Sequence, residues 1–476
     1  LFLLIQNSLS YLNINLYLLY NIMNSKKRNN SKNKNELFVY LDPKFVPADL
    51  QKFCKDLKQN QLDEKSFLKK SNEINVFLTN FDLDKLQMNF FLLLIGKRLY
   101  NFCDTGNYNL KIYGGDELQK SNIILGWELE KYKFQKFKTV TTKEITKSLT
   151  LVPKDIKNKK EAYFFIRDLI NSPPNILGPN EIYHAAKEHL NDDYVCKKIT
   201  GKKLEKTFPL ISVVGAGASK KNKPIFASFI SKTKKKRKIF IIGKGVSFDT
   251  GGLNLKTGVG MSLMKKDMGG AANAIGLAKL LSKKNLNAEV NLLLCLVENS
   301  VSDNAMRPSD IYKSRSGQFI EVSDTDAEGR LIMADALTYA SEKNPELIID
   351  LATLTGASRV AMGLEVPSFF SNNTTLSNLL NKASTETGDP LWQLPLWQNY
   401  NNQILSNHAD YKNIGSSGFG GAITAALFLE KFIKKEIPWI HIDLMGWTKP
   451  NKYSRYEGGE AMGIIALSKM IDDMFK

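Results

Sequence analysis

Beyond Leu210 the chain alternates short apolar runs with stretches of small apolar residues at helical spacing. Residues 239–242, 288–297, 347–351 and 439–444 read as strands, and 269–282, 331–342 and 421–434 as helices. This alternation predicts an α/β fold on a largely parallel mixed sheet flanked by helices. Such sheets place their ligand sites in loops beyond the carboxyl ends of the strands.

The rest of the chain is organised around this half. A length of 476 residues suits two or three domains. Residues 156–476 are assigned to this larger α/β domain and 36–155 to a smaller N-terminal α/β domain. Short strands are expected at 75–78 and 110–113, a buried element at 90–99, and apolar residues near helical spacing at 126–137. Helices are expected at 159–171, bridging the halves, and at 179–190. Pro173 and Pro174 separate them, because proline cannot continue a helix and restricts the residue before it. Residues 1–35 stand apart. Leu1 to Ile22 is uncharged and mostly apolar, but Asn, Gln and Ser interrupt it, and it lacks the basic region and cleavage site of a signal peptide. Met23 is the expected start, which leaves no membrane segment. The polar, basic run after it is expected to be a disordered lead-in.

Composition narrows the chemistry. The four histidines are His184, His189, His408 and His441, and the four cysteines Cys54, Cys103, Cys196 and Cys295. None shows H-x-x-x-H, H-E-x-x-H or C-x-x-C spacing, which argues against a histidine- or cysteine-liganded metal centre and against a disulfide framework. No G-x-x-x-x-G-K-[ST] phosphate loop or G-x-S-x-G elbow is present either. What remains is carboxylate chemistry in three glycine-flanked clusters. They are 243–252 (GKGVSFDTGG, followed by Lys256), 264–270 (MKKDMGG) and 324–330 (DTDAEGR). Asp249, Asp267, Asp326 and Glu328 supply four negative charges, which two divalent cations balance. Hard oxygen donors suit Mg²⁺, Mn²⁺ or Zn²⁺. Asp326 and Glu328 are two apart, so extended backbone would put both on one face. A pair of such ions activates water and polarises a carbonyl, giving hydrolysis without a nucleophilic serine or cysteine. Any one of these acids reads equally well as a salt bridge or helix cap. The whole set, beside basic residues, points to a site.

These residues resemble the M17 leucyl aminopeptidases, the cytosol aminopeptidase family. Asp324 to Leu331 nearly repeats the signature N-T-D-A-E-G-R-L. The first cluster is similar to G-K-G-x-x-[FY]-D-[ST]-G-G, the second to M-K-x-D-M-G-G-A-A, and 350–357 (DLATLTGA) matches a fourth segment. The likeness spans 159–475, and the tail ending EGGEAMGI is similar to a bacterial subgroup. It implies one metal site from Asp249, Asp326, Glu328 and the Asp326 carbonyl, and another from Lys244, Asp249, Asp267 and Glu328. A lysine ligand must be neutral. The resemblance further implies that Lys256 polarises the scissile carbonyl, and that Arg330, with backbone at Gly329 and Leu354, holds a bicarbonate acting as general base. Met264, Thr353 and Gly356 are implied to line the side-chain site, where methionine suits Leu-like groups. Met445 and Thr448 depart from the small residue and methionine of the animal enzymes, and Asp324 replaces the signature asparagine. The implied whole is a cytoplasmic homo-hexamer that hydrolyses the N-terminal bond of peptides, with Leu-like or broad specificity and two Mn²⁺, Zn²⁺ or Mg²⁺ ions per subunit.

The net charge of +18 raises nucleic acid or an anionic membrane as partners. The longest basic run, 232–238 (KTKKKRK), precedes a strand and suits a solvated loop. A DNA-binding regulatory protein on an aminopeptidase scaffold is the alternative reading, and a steep fall in DNA affinity with salt would mark it.

Overall fold

The β-branched and aromatic runs pair into two large sheets. The computed structural model describes residues 35–55, 66–70, 72–78, 82–139 and 146–476; the expectations for residues 1–34 lie outside it. The larger sheet has eight strands, in the order Trp392–Gln393, Ser368–Ser371, Trp439–Asp443, Leu347–Ala352, Lys238–Asp249, Glu289–Asn299, Ile225–Ser231 and Tyr194–Ile199. Its four central members, from Trp439–Asp443 to Glu289–Asn299, are parallel. Ser368–Ser371, Ile225–Ser231 and Tyr194–Ile199 pair antiparallel with their inner neighbours.

Helices cover both faces. Gly269–Ser282, Lys154–Asn171 and Ile464–Met474 bury residues such as Ile275, Ile166 and Leu467 on one side. Glu328–Ser341, Pro209–Val214 and Gly421–Glu430 bury Leu331, Leu210 and Phe428 on the other. Each such side chain contributes roughly 1.5–3 kcal/mol on burial. The cores therefore hold the central strand ends rigidly, which is what a site at those ends requires.

The strand expected at 239–242 is longer than the apolar run. It continues to Asp249, so most of the first glycine cluster is strand rather than loop. Gly243 explains this: a Cβ there would stand 2.6 Å from Ala271 Cα, so the glycine lets Gly269–Ser282 press onto the strand.

The N-terminal sheet has five strands, in the order Phe67–Lys70, Glu73–Phe77, Asn35–Tyr40, Gly106–Tyr113 and Lys147–Leu149. Residue 35 thus opens a strand rather than closing a lead-in. The buried element at 90–99 is the helix Lys85–Phe102, and the helical spacing near 126 belongs to Glu117–Glu130. These helices cross at Gly96 and Gly126, where an added Cβ would meet Ile123 O at 2.0 Å and Leu93 O at 1.9 Å. The bridging helix begins at Lys154, directly after Pro153 and ahead of the expected start at 159. It carries Arg167, whose Nε and Nη2 donate to Glu460 at 3.1 and 2.9 Å while Nη1 donates to Leu129 O at 2.7 Å. That buried fork ties the first sheet's helices to the tail of the chain. Among the described residues, no helix is long and apolar enough to cross a membrane.

Candidate active site

Asp249 is the last residue of its strand, and Glu328 the first of its helix. Asp326 sits in the turn before that helix, and Asp267 in the 3₁₀ turn Met264–Met268. The expectation that extended backbone aligns Asp326 with Glu328 is therefore corrected. A turn running into a helix brings them together, and one carboxylate oxygen each from Asp249, Asp326 and Glu328 lie within 4.8 Å of one another.

Two lysines thread the acids. Lys244 Nζ lies 2.7 Å from Asp267 Oδ2 and 3.0 Å from Glu328 Oε1, and donates to Thr353 O at 3.1 Å. Lys256 Nζ lies 2.9 Å from Asp249 Oδ2 and also contacts Asp326 Oδ1. Gly251 N and Asn299 Nδ2 donate to Asp249 Oδ1 at 2.9 and 2.8 Å. The Thr353 hydroxyl donates to Asp267 Oδ1 at 2.8 Å. Thr325 joins the first and third clusters, donating to Gly251 O at 2.6 Å and accepting from Asn254 N at 2.8 Å.

The donor set fits divalent cations. Asp267 Oδ2, Asp326 Oδ1 and Glu328 Oε1 are buried and sit at ion-pair distance from a lysine, yet none accepts a well-aligned hydrogen bond from the described residues. Burial, then repulsion from Asp249, pushes the Glu328 carboxyl well above the usual range, and the same two causes raise Asp326 to about 6. Burial opposes charge on Lys244, but Asp267, Glu328 and Asp249 outweigh it and hold its proton. A cluster this short of positive charge is one that cations complete. A lysine nitrogen binds a cation only as it gives up its proton, so at Lys244 the two would be one linked event.

Arg330 is 6% exposed, and its Nε and Nη1 have no partner among the described residues. Burial pulls its guanidinium down to about 10. Two free N–H groups on a buried planar cation suit a planar oxyanion. Of the two backbone positions expected beside it, Leu354 N donates to Asp443 Oδ1 at 3.0 Å. Gly329 packs on Lys244.

A cavity of about 570 Å³ opens over the acids. Met264, Thr353, Gly356 and Met445 line it, as do Lys256, Asp324 and Arg330. Thr448 lines a separate, smaller cavity. Sequence reasoning misses Asn299, which orients Asp249. It also misses Asp443, which accepts from Leu354 N, Thr355 N and Thr355 Oγ1 at 3.0, 3.2 and 2.6 Å. Both end central strands, so the rule that sites lie at strand carboxyl ends could have found them. Lys266 falls in the second sequence cluster but is given no role there, yet it is buried and lines the cavity.

Fold and site together define an α/β protein with a carboxylate-and-lysine centre of the kind that holds divalent cations. Residues 164–468 match the model of the cytosol aminopeptidase family, catalytic domain. A probable cytosol aminopeptidase of Prochlorococcus marinus (strain MIT 9215) is 38% identical over 388 residues, covering 75% of this chain and 79% of that protein. The crystal structure of a cytosol aminopeptidase from Coxiella burnetii is 32% identical with a TM-score of 0.82, covering 94% of this chain and 99% of that one. The bottromycin maturation enzyme BotP in complex with Mn shares the fold, at 22% identity and a TM-score of 0.79 over 93% of this chain and all of that one. The chain belongs to the cytosol aminopeptidase family, the M17 peptidases. It is a metal-dependent aminopeptidase, and its substrates are peptides.

Proposed function

We propose that this chain releases the N-terminal residue of peptides, and that Lys244, Asp249, Asp267, Asp326 and Glu328 would hold the two divalent cations this needs. The observation that carries this is the convergence of Asp249, Asp326 and Glu328 within 4.8 Å, with oxygens left without hydrogen bonds beneath an open cavity. A lysine nitrogen among the oxygens favours Mn²⁺ or Zn²⁺ over Mg²⁺. When bound, the cations supply an activated water and Lewis acidity toward the peptide carbonyl.

The chain's own residues do the rest. Lys256 leans on Asp249 and Asp326 at the cavity wall. When those acids have other partners, its ammonium is free to turn to the carbonyl oxygen and stabilise the charge that develops there. Arg330, with the backbone of Gly329 and Leu354, holds bicarbonate through its free Nε and Nη1, and bicarbonate is a competent general base. The Leu354 N–H, now donated to Asp443, would have to be released for that anion. Met264, Thr353 and Gly356 receive the N-terminal side chain.

The two sheets support a division into 36–155 and 156–476. A homo-hexamer follows from the resemblance. The relatives' name, cytosol aminopeptidase, supports a cytoplasmic location. The DNA-binding reading gains less, because part of the basic run is spoken for: Lys234 pairs with Glu289, and Arg237 lies over the Phe475 ring. The test compares a free peptide, Leu-Gly-Gly, with its N-acetylated form on metal-loaded protein. Release of leucine from the free peptide alone is expected. Equal cleavage of both would overturn an aminopeptidase.

A further inference from the structure

Two cations in the cavity have no part in the machinery described above. Lys266 lies in the turn Met264–Met268, is 5% exposed and lines the cavity. Among the described residues its ammonium makes no hydrogen bond or ion pair. Arg359 stands on the helix Gly356–Met362 and lines the same cavity, and its guanidinium likewise pairs with no acid among the described residues. Its Nη2 lies 3.7 Å from where a Cβ on Gly356 would be. Lys266 and Arg359 therefore share one cavity with Met264, Thr353 and Gly356, the positions assigned to the substrate's N-terminal side chain, and Arg359 stands over Gly356.

The acids nearby are committed elsewhere. Asp267 is held by Lys244 and Thr353. Asp443 is held by Leu354 N, Thr355 N and Thr355 Oγ1. A nearly buried ammonium without a partner is costly, and an anion that completes it recovers that cost. A leucine side chain would strip water from Lys266 and give nothing back. A side-chain carboxylate would meet Lys266 at the floor and Arg359 at the exposed rim. Met264 is unbranched and adaptable, so it can pack against the methylene stem.

Building on the aminopeptidase reading, we propose that the pocket selects peptides whose N-terminal residue is acidic, with Lys266 and Arg359 binding the side-chain carboxylate. Glutamate and aspartate share that chemistry and differ in reach.

The test is a panel of amino-acid p-nitroanilides (Glu, Gln, Asp, Asn and Leu) on the metal-loaded full chain. The Glu/Gln ratio isolates charge at constant shape. We expect kcat/KM for Glu to exceed that for Gln by at least about tenfold, mostly through KM. Lys266→Met and Arg359→Gln should each reduce that ratio several-fold, and Arg359→Glu should bring it below one. Calorimetric titration with free L-glutamate and L-glutamine should give the same order of affinity, whatever a variant does to turnover. The larger of the Glu/Gln and Asp/Asn ratios tells which reach the pocket fits. Selection is overturned if neither Glu over Gln nor Asp over Asn is favoured, if Leu is cleaved as well as the better acid, or if folded variants keep the wild-type ratio; the aminopeptidase reading survives each of these results. Cleavage of no member would defeat that reading and the proposal with it.

Discussion

Gly329 lies so close to Lys244 that a Cβ at position 329 would stand 2.4 Å from Lys244 Cε. The first residue after Glu328 must therefore be bare for Lys244 to reach Glu328 and Asp267. Gly329→Ala should push the lysine aside and leave the helix intact, since alanine is a good helix former. A displacement of about an ångström at a positioned group can cost about 100-fold in turnover. Cation affinity and kcat should fall together with little change in melting temperature. Unchanged cation affinity would mean that Lys244 is no ligand.

Lys256 contacts the acids without sharing Lys244's burial; its side chain is 15% exposed against 3%. Removing it should spare cation binding and affect the chemical step. Lys256→Ala is expected to lower kcat by about 100-fold or more, the usual loss for an oxyanion-stabilising group. Metal content measured by emission spectroscopy should match wild type. Loss of metal in step with activity would show that Lys256 only builds the site.

His189 stacks on Phe165 at 3.8 Å between ring centroids, and its Nε2 has no partner among the described residues. Burial holds its pKa at about 4, below the ordinary 6.5. The unfolded chain therefore binds the extra proton first, and the folded state loses stability as pH falls from about 6.5 to about 4. His189→Phe should remove up to about 3 kcal/mol of that acid sensitivity. Urea unfolding at pH 7 and pH 5 checks it. An identical pH slope in the two proteins would contradict it.

Arg167 is 1% exposed and bidentate to Glu460. It also lies over the Tyr456 ring, 4.4 Å from the centroid. Glu460→Gln should destabilise the chain by about 3–5 kcal/mol, because the guanidinium is left buried and unpaired. Thermal unfolding reads this directly. A loss below about 1 kcal/mol would mean that water reaches Arg167.

Much of this architecture is legible in the amino-acid sequence. The four central parallel strands follow from their apolar runs, and the four candidate metal-binding acids from their setting among glycines, whereas Lys244 enters only through the family resemblance. Boundaries are less visible where glycine interrupts a strand. Gly243 and Gly245 read as loop because they lack side chains, yet both continue the strand: the helix Gly269–Ser282 packs against bare Gly243, and Leu296 of the neighbouring strand fills the space at Gly245. Asp326 and Glu328 do converge, but a turn into a helix does what extended backbone was expected to do. Lys266 is legible only as a member of the second cluster, without a role, and Arg359 not at all. A lysine in a lysine pair gives no sign of burial, and a lone arginine gives no sign of the cavity it faces.

The most direct measurement is cation stoichiometry against turnover, for wild type and Asp326→Asn. Chelated protein would be refilled stepwise with Mn²⁺ or Zn²⁺, with leucine or glutamate p-nitroanilide as substrate. The account predicts no turnover without metal and full turnover at two ions per chain. It also predicts loss of nearly all activity in Asp326→Asn, whose side chain gives up a charge in the acid cluster. Full turnover by metal-free protein, or normal activity in Asp326→Asn, would contradict it.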